Sequence, residues 1–167
     1  FDTLAEWTAY DDDVLDKATA LRRAHAALRV SAVQNEYSML WRGPEEVVIP
    51  LCEELGIGFV PWSPLGVGLL TGAIDARTRF ADGDIRKGES RFSPENLPQN
   101  LKLVELVKTW AERKRSTPAQ IALAWLMARP SVTAPIASAT SVAQLNELTP
   151  AARLKLTADD MKILSTS

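Results

Sequence analysis

The pattern of apolar and polar positions divides the chain into short apolar runs and longer segments with helical spacing. Each apolar run has the length and character of a buried parallel strand. The predicted strands cover residues 30–34, 57–62 and 132–137. The predicted helices cover residues 13–28, 43–55, 99–115 and 117–127, with short ones opening at 141 and 157. Together these elements predict an α/β protein.

Local signals fix several of the helix boundaries. Gly56 is suited to end the second predicted helix, whereas Pro50 interrupts that helix and should kink it. Thr117 is a capping residue followed by a proline and, three positions on, by a glutamine, which predicts a helix start. Residues 121–127 are apolar on nearly all sides, so we expect this helix to be buried.

Two loops follow predicted strands directly, where parallel sheets bind their ligands. Residues 63–68 offer backbone amides, one hydroxyl and glycines that let a ligand approach closely. Residues 138–140 form a hydroxyl-rich loop that opens onto a helix capped by Ser141, a ready anion site. For the first loop, a strand followed by an ordinary turn is the alternative interpretation.

Composition and charge narrow the classes of function. The 167 residues are 46% hydrophobic and 24% charged, which is enough apolar side chain for a core. A net charge of −2 gives no electrostatic basis for binding nucleic acid or an anionic membrane. The single cysteine, Cys52, excludes an internal disulfide and suits a reducing compartment. With no apolar run of membrane-spanning length and no signal-peptide layout, we expect a cytoplasmic protein.

Four motifs, in this order along the chain, resemble the aldo-keto reductase family. They are VQNEYS at 33–38, PWSPLGVGLLTG at 61–72, TPAQIALAW at 117–125 and PIASATS at 135–141. The resemblance extends from about residue 30 to the C-terminus. It implies a (β/α)8 barrel of TIM type, of which this chain would cover about the last three strands and their helices.

The resemblance also implies the chemistry and its residues. Family members move a hydride from a nicotinamide cofactor, usually NADP, to an aldehyde or ketone, assisted by a tyrosine, a lysine, an aspartate and a histidine. Phe1-Asp2-Thr3 resembles the family segment that contains the catalytic aspartate, so Asp2 is the only candidate for a member of this group. The catalytic tyrosine would follow five residues later, where this chain has Trp7. Gln34 would bind the nicotinamide carboxamide from the end of its strand. The implied cofactor-binding set is Gln34, Trp62, Ser63, Pro64, Leu65, Gly66, Gly68, Ser138, Ala139, Thr140, Gln144 and Glu147. No metal site is predicted, because the acidic residues 11–13 fit a helix cap.

The chain departs from the family pattern at the adenosine end of the cofactor site. Ser138 and Gln144 stand where many members carry lysine and arginine, and Leu148 replaces an adenine-binding asparagine. The 2′-phosphate of NADP therefore loses its charge-assisted partners, so we expect a weaker NADP preference, with NAD possible.

The length of the chain conflicts with a complete barrel, which needs roughly 250 residues. We expect one domain over 1–167, in which 30–167 match the C-terminal half of the barrel and 1–29 have no assigned place. An open barrel leaves strand edges unpaired, so the chain is a fragment, a deletion variant or a part completed by a second chain. The alternative function is that of a catalytically inactive, truncated family member that binds only nucleotide or a protein partner.

Three features keep two interpretations each. Residues 72–99 are either a functional lid or disordered, and either Arg86 or Arg91 could contact the cofactor pyrophosphate. Glu36 and Tyr37 either lie above the barrel mouth or pack locally.

His25 is expected to be a surface or boundary residue of the first helix.

Overall fold

The computed structural model describes residues 14–166, which contain six α-helices and two β-strands. These elements are α1 (Val14–Ala27), β1 (Ala32–Glu36), α2 (Val48–Leu55), β2 (Gly58–Trp62), α3 (Leu97–Lys114), α4 (Pro118–Met127), α5 (Val142–Leu148) and α6 (Ala158–Ser165). Short 3-10 helices lie at Gly43–Glu45, Leu69–Thr71, Ile85–Gly88, Ser90–Phe92 and Thr149–Arg153. The predicted α/β class is confirmed. Within the same range, none of the helices combines the length and apolarity needed to cross a bilayer.

The two strands form a parallel sheet with one buried face. Their register runs from Ala32 opposite Gly58 to Glu36 opposite Trp62. Because side chains alternate along a strand, the odd-numbered positions of both strands face the helices. The even-numbered positions form the open face, where most side chains are at least partly exposed.

The predicted strand 132–137 lies beside β2 but does not form a regular strand. Phe59 exchanges two backbone hydrogen bonds with this segment, at 3.2 and 2.8 Å. The next two rungs of a parallel ladder would need N–H donors from Pro61 and Pro135, which have none. Ile136 N donates to the Pro61 carbonyl at 2.8 Å instead. The prediction was therefore wrong in assigning a strand here, because two prolines remove consecutive donors.

The hydrophobic core lies between the sheet and helices α2, α3 and α4. Residues 121–126 are all buried, as predicted for α4. The helix begins with the predicted cap, in which Thr117 and Gln120 exchange side chain to backbone hydrogen bonds. Cys52 is fully buried in α2, and burial raises the pKa of its thiol to about 11, which confirms a core residue.

The predicted helix 43–55 is divided at a different place from that expected. A 3-10 turn spans Gly43–Glu45, and α2 begins at Val48. Pro50 consequently lies in the first turn of α2, where a backbone N–H would have no partner within the helix. The helix breaks before the proline, and no kink is needed at Pro50.

A partly buried ionic cluster joins the end of β1 to the C-terminal helix. The Tyr37 hydroxyl donates to Glu45 at 2.6 Å, and Arg42 and Arg129 both pair with the same carboxylate. Arg42 also donates to the Ser165 carbonyl at the end of α6. Burial would raise the pKa of Glu45, but the hydrogen bonds from Arg42 and Tyr37 outweigh it and hold the pKa below its ordinary value. Tyr37 is therefore a local packing residue, which decides one of the open alternatives.

Residues 72–96 are ordered by a small apolar cluster of their own. Leu69, Ile74 and Val104 form its buried centre, and Phe80 and Phe92 pack against them. The Phe80 and Phe92 rings meet edge to face with centroids 4.9 Å apart. These contacts contradict disorder, one of the two alternatives for this segment; its function as a lid stays a prediction.

Candidate functional site

A cleft of about 800 Å³ opens at the carboxyl end of β2. One wall is the end of β2 and the loop after it, namely Trp62, Ser63, Pro64, Leu65, Val67, Gly68 and Thr71. The other wall is the segment beside β2 and helix α5, namely Ile136, Ala137, Ser138, Thr140, Gln144, Glu147 and Leu148. Arg86 reaches the cleft from the long loop, and Ala119 from the start of α4. The cleft therefore joins three motifs that are far apart in the sequence.

The loop 63–68 has an unusual backbone. Ser63, Gly66, Val67 and Gly68 all have positive φ angles, of 52°, 58°, 55° and 92°. For a β-branched residue such as Val67 this conformation is strained, and such strain is concentrated at ligand sites. Internal hydrogen bonds hold the loop, including Gly66 N to Ser63 O at 3.0 Å and Leu70 N to Leu65 O at 3.1 Å. The loop is a rigid turn whose backbone lies at the cleft surface.

On the opposite wall, Gln144 holds the hydroxyl-rich loop in place. Its Oε1 accepts hydrogen bonds from Thr140 N at 2.7 Å and from Thr140 Oγ1 at 2.9 Å. Ser141 caps α5 by accepting from Gln144 N at 3.2 Å, as predicted. Ser138 and Thr140 are exposed. This wall therefore offers hydroxyls and amides but no positively charged side chain.

The long loop supplies a cation to the cleft. Arg86 pairs with Asp84 at 2.6 Å, and its guanidinium lies 4.7 Å from the centroid of the Phe80 ring. Hydrogen bonds from the side chain and the amide of Arg86 lower the pKa of Asp84 to about 2. Arg91 does not line the cleft and pairs with Glu36 at 2.6 Å instead. The geometry thus favours Arg86 over Arg91 as the cation beside a bound anion.

Most of the predicted cofactor residues lie together at this cleft. The exceptions are Gln34, Gly66 and Ala139, which do not line it. Gln34 was expected to end its strand, but β1 continues to Glu36, so that prediction was wrong by two residues. The strand extends because Glu36 pairs in register with Trp62 and is held there by Arg91. Gln34 is exposed on the open face of the sheet, and Trp62, 38% exposed, lies two residues further along the same face.

The catalytic prediction, Asp2, lies outside the described residues. His25 is partly exposed on α1, where its Nδ1 accepts a hydrogen bond from Val30 N at 3.3 Å, as expected for a boundary residue. Burial and the hydrogen bond to Glu45 raise the pKa of Tyr37 far above its ordinary value. Neither side chain lines the cleft.

Sequence reasoning left out several apolar lining residues. Val67, Ala119, Ile136 and Ala137 line the cleft because of how the loop and neighbouring segments pack. All four lie within the motifs that resemble the family, so their position in those motifs was the signal that could have identified them. The sequence named Arg86 and Arg91 as candidates for the cation but did not distinguish between them.

Comparison with known proteins identifies the family. Residues 8–166 match the Aldo/keto reductase family, so this chain belongs to it. The resemblance seen in the sequence is confirmed, and the match begins ahead of the first motif. A similar solved structure is that of the glycerol dehydrogenase AKR11B4 from Gluconobacter oxydans, with a TM-score of 0.76 and 18% identity. The alignment covers 93% of this chain and 55% of that one, so this chain spans about half the length of that relative.

Proposed function

We propose that this chain forms the nicotinamide-nucleotide-binding part of a (β/α)8 barrel that reduces aldehydes or ketones. Membership of the aldo/keto reductase family supports an oxidoreductase. The observation that carries the proposal is the cleft itself, which brings together the loop after β2, residues 136–140 and helix α5. In this assignment the segment 131–136 takes the position of the last barrel strand beside β2.

The residues at the cleft fit such a cofactor in size and chemistry. A volume of about 800 Å³ lies within the usual range for ligand pockets. Trp62 offers an aromatic surface to the nicotinamide ring. Gln34 does not line the cleft, but it lies on the same open face of the sheet as Trp62, and its amide offers both a donor and an acceptor to a carboxamide that extends along that face. When bound, the nicotinamide supplies the hydride. Arg86 would hold the pyrophosphate together with those amides of loop 63–68 that do not take part in the internal hydrogen bonds of the loop.

The adenosine half would lie against Ser138, Ala139, Thr140, Gln144 and Glu147. Among the described residues, the charged side chains that line the cleft are Arg86 and Glu147. Among the lining residues within 14–166, the cation is Arg86 of the long loop, and the wall that carries Ser138 has no lysine or arginine to pair with a 2′-phosphate. We therefore propose NADP as cofactor with weak discrimination against NAD.

A second candidate function is nucleotide binding without catalysis. It is favoured by the positions of Tyr37 and His25, the tyrosine and histidine of the described range, which lie away from the cleft. Under the first proposal, the catalytic groups must come from elsewhere, with Asp2 as the candidate in this chain. The outer edge of β1 has no strand partner within residues 14–166, which leaves room for a further segment or a second chain. A reducing compartment such as the cytoplasm suits the buried thiol of Cys52 in either case.

Fluorescence titration with NADPH tests the cofactor site. Binding should quench tryptophan emission in the wild type, and Trp62→Ala should abolish most of that quenching. Trp41→Ala is the matched control, since Trp41 is similarly exposed but does not line the cleft. Quenching that survives in Trp62→Ala and disappears in Trp41→Ala would remove the assignment of the cleft.

Turnover separates the two candidate functions. The first proposal places catalytic groups outside the described residues, so the 167-residue chain alone should bind NADPH with little turnover. Oxidation of NADPH in the presence of 4-nitrobenzaldehyde after a further segment or a second chain completes the barrel supports the reductase, and binding without turnover in that assembly supports the second candidate. The same assay in Asp2→Asn tests whether this aspartate belongs to the catalytic group.

A further inference from the structure

The side chain of Gln120 joins two helices that border the cleft. In the first turn of α4, its Oε1 accepts a hydrogen bond from Thr117 N at 3.2 Å. Its Nε2 donates to the Glu147 carbonyl in the last turn of α5 at 2.6 Å. Because a backbone N–H can only donate and a carbonyl can only accept, the two contacts together fix the orientation of the amide. The same side chain therefore caps α4 and holds the end of α5.

Helix α5 has little apolar packing to hold it in place. All seven of its residues are at least partly exposed, and Val142 and Leu145 are 73% and 51% exposed. The hydrogen bonds of Gln144 fix the first turn relative to the loop before it, and the buried Ala151 anchors the segment that follows. Among the described residues, the hydrogen bond that connects α5 to a distant segment comes from Gln120. The position of the last turn of α5 therefore depends on this contact.

The start of α4 lies between the two walls of the cleft. Ala119 lines the cleft directly, one residue before Gln120. On one side, α4 packs against the 3-10 helix Leu69–Thr71, which follows the loop of the first wall. On the other side, Gln120 holds the backbone of Glu147, whose side chain belongs to the second wall. The contact from Gln120 thus sets how far α5 stands from the opposite wall.

We propose that Gln120 is a positioning residue that holds α5 at the distance at which the cleft binds the adenosine half of a nucleotide. The proposal rests on the nucleotide site proposed above. Gln120 does not line the cleft, so it acts through Glu147 and the helix to which Glu147 belongs. Without this hydrogen bond, α5 occupies its binding position for a smaller fraction of the time, and the apparent affinity falls by that fraction. The nicotinamide half is unaffected, because Trp62 belongs to the opposite wall.

Two substitutions separate the two roles of Gln120. Gln120→Glu keeps an acceptor for Thr117 N, as in other capping boxes, but places a carboxylate instead of a donor opposite the Glu147 carbonyl. Thr117→Ala is the matched control, because it removes the side-chain acceptor for Gln120 N and leaves the donor to Glu147 in place. Isothermal titration measures the dissociation constants of NADPH and of reduced nicotinamide mononucleotide, which lacks the adenosine.

In Gln120→Glu, the dissociation constant of NADPH should rise about tenfold, which corresponds to an α5 that is in its binding position about a tenth of the time. The dissociation constant of the mononucleotide should stay at its wild-type value. Thr117→Ala should lower the free energy of unfolding, because it weakens the cap of α4, and should change neither dissociation constant. An unchanged NADPH constant in Gln120→Glu, an equal rise for both ligands, or an equal rise in Thr117→Ala would overturn the proposal.

Hydrogen exchange keeps this test separate from the test of the cofactor. In nucleotide-free Gln120→Glu, exchange should accelerate within residues 142–153 and stay unchanged in α2 and α3. Gln120→Met, which removes the donor without adding a charge, should show the same local increase. If wild-type protein fails to bind NADPH, the proposed function is wrong, but the exchange measurement still decides whether Gln120 holds α5. Unchanged exchange in residues 142–153, or an equal increase throughout the protein, would refute the positioning role.

Discussion

Replacing Gly66 with alanine should destabilise the protein through two separable effects. Gly66 has a φ of +58°, a conformation that costs a residue with a Cβ roughly 1–2 kcal/mol. A Cβ built at this position would also lie 2.4 Å from Leu40 Cδ1. Leu40 packs against both apolar clusters but is only partly buried, and the contacted atom is the end of its side chain, so turning the side chain away relieves the overlap at a cost of about 0.5–1.5 kcal/mol.

The matched control is Gly56→Ala. Gly56 has a similar φ of +65° at the end of α2, but no atom lies within 4 Å of the point that its Cβ would occupy. Both substitutions reduce the freedom of the unfolded chain by the same amount, so this contribution cancels in the comparison. The free energy of unfolding should therefore fall by about 1–2 kcal/mol in Gly56→Ala and by about 1.5–3.5 kcal/mol in Gly66→Ala.

Urea denaturation followed by circular dichroism measures both values, provided that the transitions are two-state. Adding Leu40→Ala should remove the overlap, so the double variant Leu40→Ala/Gly66→Ala should be more stable than the sum of the single effects. Equal losses in Gly66→Ala and Gly56→Ala, with no coupling to Leu40, would show that the close contact is not made.

The remaining predictions concern charge and catalysis. Ser138→Lys should strengthen NADPH binding by about 1 kcal/mol or more and leave NADH binding nearly unchanged, by isothermal titration, because it adds a charge-assisted contact to the 2′-phosphate. A wild-type preference for NADPH above about a thousandfold would contradict this account. The pKa of Glu45 is lower in the folded protein than in the unfolded chain, so its stabilising effect is present above about pH 4.3 and is lost as the pH falls further. Glu45→Gln should lower the stability at pH 7 and should reduce the loss of stability on acidification, measured by thermal denaturation at several pH values. If the variant loses as much stability in acid as the wild type does, the proposed role of the cluster is wrong. The purified 167-residue chain should show little turnover of 4-nitrobenzaldehyde with NADPH, because the loss of general acid catalysis alone lowers the rate about 10²–10⁴-fold. Robust turnover by a monomer would contradict this prediction and point to catalytic groups in residues 1–13.

Helix starts and buried helices could be predicted because their causes are local. The cap at Thr117 and the all-round apolar surface of 121–126 are properties of adjacent residues, and both are present in the structure. The cap at Thr157 and the helix that follows it were predicted in the same way. Each of these signals acts over one or two helical turns, so no knowledge of the rest of the fold was needed.

The limits of β-structure depend on partners that local pattern does not show. The segment 132–137 has the composition of a strand, but it does not form a regular ladder with β2 because Pro135 and Pro61 have no backbone N–H to donate to each other's strand. β1 extends two residues past Gln34 because Glu36 pairs with Trp62 on β2 and forms an ion pair with Arg91. In both cases the deciding residue lies on another segment.

The candidate site divides in the same way. The motifs identified the loop 63–68 and the residues 138–147, because the spacing of glycines, hydroxyl residues and a helix cap can be read directly from the sequence. The choice between Arg86 and Arg91 depended on tertiary contacts: Arg86 lies over the Phe80 ring, whereas Arg91 pairs with Glu36 at the end of β1. No periodicity in a loop rich in charges carries that information.

In the nucleotide site proposed above, the charges of the cleft favour the pyrophosphate half. Arg86 is oriented in advance by Asp84 and by the Phe80 ring, so little side-chain freedom remains to be lost when it meets an anion. On the wall formed by α5, Gln144 is already engaged with Thr140, and the charged side chain is that of Glu147. A pyrophosphate beside Arg86 would therefore meet a cation, whereas an adenosine phosphate beside α5 would meet neutral groups and a carboxylate.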